Sequence, residues 1–306
     1  MKKYQMALTT ADKVVVRVLV AIIAVCVMTV LPTGCAKDEP DAEVKVTTKL
    51  NTRMEKEITF YFDDNSISQQ PMTRATMAEL NLTDLWLFDY VDGNYMQTIH
   101  QISTDDGFGA VSGSFDYGAH TLYFVASRGA SPTVSTDTKT ITWQTVRDTF
   151  WATLQITVEP STGGTQTVSL NRVVGRLRIS VTDVVPDGAS SFVVTPSTWY
   201  YGLRYDTGEA VSSASTPITV NIPNSYIGTT NLTTSVYSIS SATEWETNIT
   251  AALKASDNST LGSVTISDVP IKRNHITSYS GGILTTGRML TITIDDEWQE
   301  DENILW

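Results

Sequence analysis

The chain has 306 residues, with 21 basic against 33 acidic side chains and a formal net charge of −12, a balance unfavourable for nucleic acid or an anionic membrane face. Its length is enough for two domains of ordinary size, each able to bury its own core. Threonine, serine and valine are abundant and long helical patterns are nearly absent. Alternating runs bounded by Gly, Pro, Asn and Asp favour antiparallel β-sandwiches.

The first informative stretch is Val18 to Glu39, VLVAIIAVCVMTVLPTGCAKDE. Its apolar run ends at Leu31, short of the roughly 20 residues a spanning helix needs. With Lys2, Lys3, Lys13 and Arg17 before it and Gly34-Cys35 after it, it reads as a signal peptide over residues 1–34. The pattern resembles a bacterial lipoprotein signal, which implies a diacylglyceryl group and an acyl chain such as palmitate on Cys35. Pro32 stands where such signals usually carry Leu, and the other reading is an ordinary secretory signal in which Cys35 is incidental. Cys26 is filler in the apolar run. Ala36-Lys37-Asp38-Glu39 resembles the tag that sends lipoproteins of Bacteroides-type bacteria to the cell surface, and residues 35–43 form a tether. Removal of residues 1–34 takes away four basic residues and Asp12, leaving a charge of about −15 and, once Cys35 is acylated, no thiol for a disulfide or a metal. A single acyl chain holds reversibly, and two or more hold firmly.

Beyond the tether, Val44 and Val46, then Ile58, Phe60 and Phe62, alternate in two early strands. Gln69–Met77 is a polar break containing Arg74. Leu80–Val91, LNLTDLWLFDYV, predicts a strand with apolar residues on both faces, and Asp92-Gly93 predicts a tight turn into Tyr95–Ile102. Val111–Phe115 and His120–Ala126 follow. One helix is expected over Thr145–Thr153, where Val146, Phe150, Trp151 and Leu154 fall near helical spacing. A hairpin is expected between Gln155–Val158 and Gln166–Leu170 across Gly163-Gly164. A domain boundary near Leu170 gives two β-sandwich domains, 44–170 and 171–306. In Asn171–Asp183, Val173, Gly175, Leu177, Ile179 and Val181 point one way, and Arg172, Arg176 and Arg178 occupy an expected solvated face. Turns at Pro186-Asp187-Gly188 and Asp206-Thr207-Gly208 separate later strands near Ser191–Val194, Trp199–Tyr205, Ile218–Ile222, Thr234–Ile239, Ile249–Lys254, Gly262–Ile266 and Met289–Ile294.

Three pieces, LNRVVGRLRISV from Leu170, VPIKRNHITSYSGGI from Val269 and the closing LTITIDDEW, together resemble the fimbrillin-like lipoproteins of Bacteroides-type (type V) pili, most closely the minor subunits that anchor the pilus in the outer membrane. The resemblance implies two tandem transthyretin-like, Greek-key β-sandwiches and assembly with other fimbrial subunits by strand exchange, in which a neighbour's strand completes an open sheet. In pilins of this group a leading segment is cut off after an arginine, whereas an anchor keeps its lipidated leader. Arg74-Ala75 is either such a cut site or part of an ordinary loop.

Signals of catalysis are weak. His100, His120 and His275 stand apart, with no metal-ligand spacing and no nucleophile elbow, so no catalytic residue, cofactor or metal is expected. His275 reads as a hydrogen-bonding residue at a strand start. Asp63-Asp64, Asp105-Asp106 and Asp295-Asp296-Glu297 read as solvated loop carboxylates. Ile304, Leu305 and Trp306 either dock on a neighbour or fold back on their own domain. A second functional class is glycan binding on an aromatic face, for which Trp199-Tyr200-Tyr201 is the best candidate among seven tryptophans and twelve tyrosines.

Overall fold

The computed structural model describes residues 54–64, 70–72, 80–284 and 291–295, all within the unit Thr52–Trp306. The signal segment 1–34, Cys35, the tether, Val44, Val46, Arg74, Ala75, Trp298 and the tail ending in Ile304, Leu305 and Trp306 lie outside the described residues. In chain order the strands are β1 (Glu55–Asp64), β2 (Gln70–Met72), β3 (Asp84–Val91), β4 (Asn94–Ile102), β5 (Ala110–Asp116), β6 (Gly118–Ser127), β7 (Thr133–Ser135), β8 (Thr140–Thr142), β9 (Thr149–Val158) and β10 (Thr165–Arg172). Then come β11 (Val174–Val181), β12 (Ala189–Pro196), β13 (Trp199–Arg204), β14 (Glu209–Ala214), β15 (Ile218–Asn221), β16 (Leu232–Ile239), β17 (Trp245–Ala255), β18 (Thr260–Ile271), β19 (Ile276–Gly281) and β20 (Thr291–Asp295). The fold is all-β, and the described residues contain no helix beyond one 3-10 turn at Asn224–Tyr226.

Two layers make the first sandwich, β2, β1, β10 and β5 against β9, β6, β3 and β4. Among the described residues their backbones pair where the end of β10 meets the start of β9, at Asn171↔Trp151 and Arg172↔Phe150, and Gln97 and Gln101 of β4 donate to the Ser114 and Ala110 carbonyls of β5. Between them lies a core that includes Ile58, Phe60, Phe62, Leu85, Leu87, Leu122, Phe124 and Phe150. The second sandwich places β16-β11-β19-β20 against β15-β12-β17-β18 around Leu177, Ile179, Phe192, Val194, Ile249 and Leu253. A small sheet, β14-β13-β8-β7, takes strands from both halves of the chain. A third core gathers there, containing Trp86, Phe88, Tyr90, Trp143, Leu203, Tyr205 and Tyr237. This explains why β3 is apolar on both faces: Leu85 and Leu87 enter the first core, and Trp86, Phe88 and Tyr90 the third. At the tip of β3–β4, Asp92 and Gly93 take φ of 50° and 79°, the left-handed geometry of the expected turn.

Three expectations are corrected. The helix over Thr145–Thr153 does not form. Thr145 makes an isolated bridge to Ala130, and from Thr149 onward the chain is β9, paired with β6 from Ser127↔Thr149 to Gly118↔Val158. Phe150 and Ala152 serve the first core while Trp151 packs on the third and donates its Nε1 hydrogen bond to the Tyr205 carbonyl at 2.7 Å. One helical stripe cannot serve two cores on opposite sides, whereas strand alternation does so directly. The hairpin across Gly163-Gly164 is also absent. β9 stays beside β6, and β10 runs parallel to β1 from Thr59↔Thr165 to Asp64↔Leu170, so the connection passes from one layer to the other. Lastly, Arg172 and Arg176 are buried and not solvated, with 1% and 0% exposure. The second and third cores cover both faces of the start of β11, so polar residues there meet protein where water was expected.

Candidate functional site

The strand that closes the first sandwich is the first feature with functional weight. β1 is an interior strand with both edges occupied: β10 on one side, and on the other β5 along Glu55–Tyr61 and β2 along Phe62–Asp64. Its inward side chains Ile58, Phe60 and Phe62 are 0%, 0% and 1% exposed. The rings of Phe60 and Phe62 pack on Phe124 at 5.3 and 5.5 Å, and Phe60 meets Phe115 edge-on at 5.6 Å. Fully burying side chains of this size is worth about 1.5–3 kcal/mol each. Loss of β1 would therefore remove an amount comparable to a small domain's whole stability.

Where the chain passes from β10 to β11, a buried ion pair ties distant segments together. Arg172 donates from Nε and Nη2 to the two carboxylate oxygens of Asp148 at 2.7 and 3.0 Å, and from Nη1 to the Asn274 side-chain oxygen at 3.0 Å. Its guanidinium also lies 4.8 Å above the Phe150 ring. Arg273 donates to the carbonyls of Ser240 and Gly208, and His275 Nδ1 bonds the Arg273 carbonyl at 2.7 Å just before β19. His275 thus does what its place at a strand start implies. Sequence reading missed the Arg172–Asp148 pair, whose members are 24 residues apart.

A cleft of about 500 Å³ lies between β15 and β16, which among the described residues are the end strands of the two facing sheets of the second sandwich. Ile218, Thr219 and Val220 line it from β15, and Ser235, Val236 and Tyr237 from β16, while Trp199 and Tyr201 of β13 also line it. The segment Trp143–Arg147 forms another wall, fixed by Trp143 N–H donating to the Tyr201 carbonyl at 3.0 Å and Gln144 N–H donating to the Ala130 carbonyl at 3.1 Å. Two arginines that do not line the cleft bond side chains that do. Arg128 donates to the Tyr237 hydroxyl at 3.0 Å, and Arg176 donates to the Ser235 hydroxyl at 3.0 Å with its guanidinium 5.8 Å from the Tyr237 ring. Arg147 lines the cleft itself, and burial pulls its pKa below the ordinary arginine value; Tyr237 opposes that shift and Arg128 adds to it.

Trp199, Tyr200 and Tyr201 do not form a flat exposed face. Trp199 is 5% exposed and its indole N–H is spent on the Tyr237 carbonyl at 2.8 Å. Trp245 meets Trp199 at 73° and Tyr200 at 88°, an edge-on cluster. His120 is buried, its ring nitrogens 2.7 Å from Asp89 Oδ1 and 2.9 Å from the Asp116 carbonyl. His100 stacks on Trp86 at 4.7 Å and contacts Asp84 at 2.9 Å. Asp105 accepts the Ile102 N–H within its own turn, and the side chains of Asp63, Asp64 and Asp295 to Glu297 lie outside the described residues. Among the described residues, no three His, Cys, Asp or Glu side chains stand together as metal ligands.

A family model described as a family of unknown function, DUF6562, matches residues 130–305. No curated protein matches the sequence. The fold is similar to that of candidate polysaccharide-binding proteins from Bacteroides thetaiotaomicron, at 10% identity over 80% of this chain and 99% of that one, with a TM-score of 0.50. A candidate adhesin from Bacteroides ovatus is 10% identical over 78% and 88% of the two chains, with a TM-score of 0.49. The fimbrial anchor protein Mfa2 from Porphyromonas gingivalis is 9% identical over 80% and 98%, with a TM-score of 0.47. At such identities the likeness is one of fold alone.

Proposed function

The chain belongs to that family of unknown function, DUF6562, and from its leader sequence and its closed first sandwich we propose that it is a surface lipoprotein of the outer membrane that anchors a fimbrium or serves as a minor subunit of one. In this reading residues 1–34 are the signal peptide, Cys35 carries the acyl chains, residues 35–43 are the tether, and 44–170 and 171–306 are two sandwich domains. The observation that carries it is β1, which occupies the interior of its own sheet and fills the first core with Ile58, Phe60 and Phe62. A subunit that polymerises by strand exchange must vacate such a position for its neighbour's strand. A chain that keeps β1 in place offers no vacancy there and so ends the assembly on that side. Its contacts with other fimbrial subunits then use another edge. Among the described residues β18 is an end strand of the second sandwich, a position of the kind that accepts a further strand.

Acylation at Cys35 is the anchor in this account, since each buried methylene contributes about 0.8 kcal/mol. Cys35→Ala in the producing cell moves the protein from the membrane fraction to the soluble fraction. Retention of that variant in washed outer membranes contradicts lipid anchoring.

A further inference from the structure

We propose that β1 and β10 form a shear clamp, a strand pair that resists tension between the leader and the second sandwich. The observation that carries it is the direction of pairing. β10 runs parallel to β1, from Thr59↔Thr165 to Asp64↔Leu170, whereas β2 and β5 on the other edge of β1 run antiparallel to it. The start of β1 and the end of β10 therefore lie at opposite ends of the pair. The chain enters the pair from the leader at Glu55 and leaves it at Arg172, and β11 of the second sandwich begins at Val174. A pull between leader and second sandwich thus draws the two strands past each other along their length. Ladder bonds run across the strands, so this pull loads them together, whereas a pull from one end peels them in turn.

Two further features hold the strands in register. Ile58, Phe60 and Phe62 are 0%, 0% and 1% exposed, and a slip of β1 by one residue turns all three to the outer face. At the exit of β10, Arg172 bonds both carboxylate oxygens of Asp148 at 2.7 and 3.0 Å and the Asn274 side chain at 3.0 Å. Tension leaving β10 therefore spreads to the segment before β9 and to the segment before β19. Resistance of this kind is a property of the unfolding barrier along one direction and not of equilibrium stability. The direction of natural load rests on the anchoring reading, in which force enters from the residues ahead of β1.

The test is single-molecule pulling of the full-length chain through thiol handles, with Cys26→Ser and Cys35→Ser so that the handles are the only thiols. Met54→Cys with Ser169→Cys pulls the pair from opposite ends, and Met54→Cys with Gly163→Cys pulls it from one end. All three positions are exposed, and a side chain at 163 meets nothing closer than 3.7 Å. Matching urea midpoints for the two proteins show that their stabilities are the same. The opposite-end pair ruptures at a force at least about twofold higher, because its ladder bonds break together. The rupture frees the chain between those handles in a single step, at roughly 3.3–3.6 Å per residue. Equal forces, a higher force for the one-end pair, or a weaker step ahead of the main rupture in the opposite-end pair overturns the proposal. Both proteins lack Cys35, so the outcome is independent of whether acylation anchors the chain.

Discussion

Replacing Phe60 by Ala tests how much of the first sandwich depends on its leading strand. The side chain is fully buried and touches two other rings, Phe115 and Phe124, at centroid distances of 5.6 and 5.3 Å. A buried Phe→Ala change costs about 3–5 kcal/mol from lost transfer energy and the cavity left behind. For a unit of this size each kcal/mol lowers the melting temperature by about 2–4 °C, so the expected drop is roughly 10 °C. Tyr61→Ala is the internal control, one residue along the same strand but on the other face and 50% exposed; it changes stability by about 0.5 kcal/mol or less. Both variants are purified from the cell surface and melted by urea and by heat. If mature protein lacked β1, or held another chain's strand in its place, neither substitution would register. Equal effects from the two variants, or a Phe60→Ala loss under about 1 kcal/mol, refute the claim that β1 completes its own core.

Other consequences follow from the same contacts. Arg172→Met alone strands the buried Asp148 carboxylate and costs about 3–5 kcal/mol, whereas Arg172→Met with Asp148→Leu costs less because that carboxylate is gone; a double-mutant cycle by urea unfolding reads this. Gly175→Ala puts a methyl group 2.8 Å from the Lys272 carbonyl and 2.7 Å from Ile271 Cγ2, and the backbone partner cannot swing away, so a loss of about 1–3 kcal/mol is expected in the same assay. Burial first, and then its 2.8 Å hydrogen bond with Tyr90, hold the Tyr205 hydroxyl neutral far above the usual tyrosine range. The folded protein therefore keeps a proton that the unfolded chain releases near pH 10, so this stabilisation is complete below about pH 10 and declines as pH rises above it. Unfolding free energies measured across that range fall less steeply for Tyr205→Phe than for wild type. Parallel slopes contradict the assignment.

Much of the architecture was legible because it rests on short-range signals. Period-two alternation located β6 and β11, an apolar run with residues on both faces located β3, and Asp92-Gly93 announced its turn through residues that tolerate positive φ. Two of the errors share one physical cause, that the small sheet β14-β13-β8-β7 covers surfaces a two-layer sandwich leaves to water, while the third, the hairpin, failed because β10 crosses to the other layer and pairs with β1. Thr145–Thr153 looked helical because Val146, Phe150, Trp151 and Leu154 fall near helical spacing, although Phe150 and Trp151 belong to different cores. Arg172 and Arg176 looked solvated because arginine usually is, and their partners Asp148 and Ser235 lie 24 and 59 residues away. The cleft was half visible: Trp199 and Tyr201 drew notice as aromatics, but Arg147 and Gln144 join them only through the bonds of the Trp143–Arg147 segment to Ala130 and Tyr201. The composition of residues 143–147 alone carries no such signal.

The most direct test of the central claim is the N-terminus of the mature protein on intact cells, read by mass spectrometry of the purified chain. Retention of β1 as the chain's own closing strand predicts a first residue of Cys35 carrying acyl groups, with Ile58, Phe60 and Phe62 present in the same polypeptide. A mature chain that begins at Ala75 has lost those three side chains and contradicts the account.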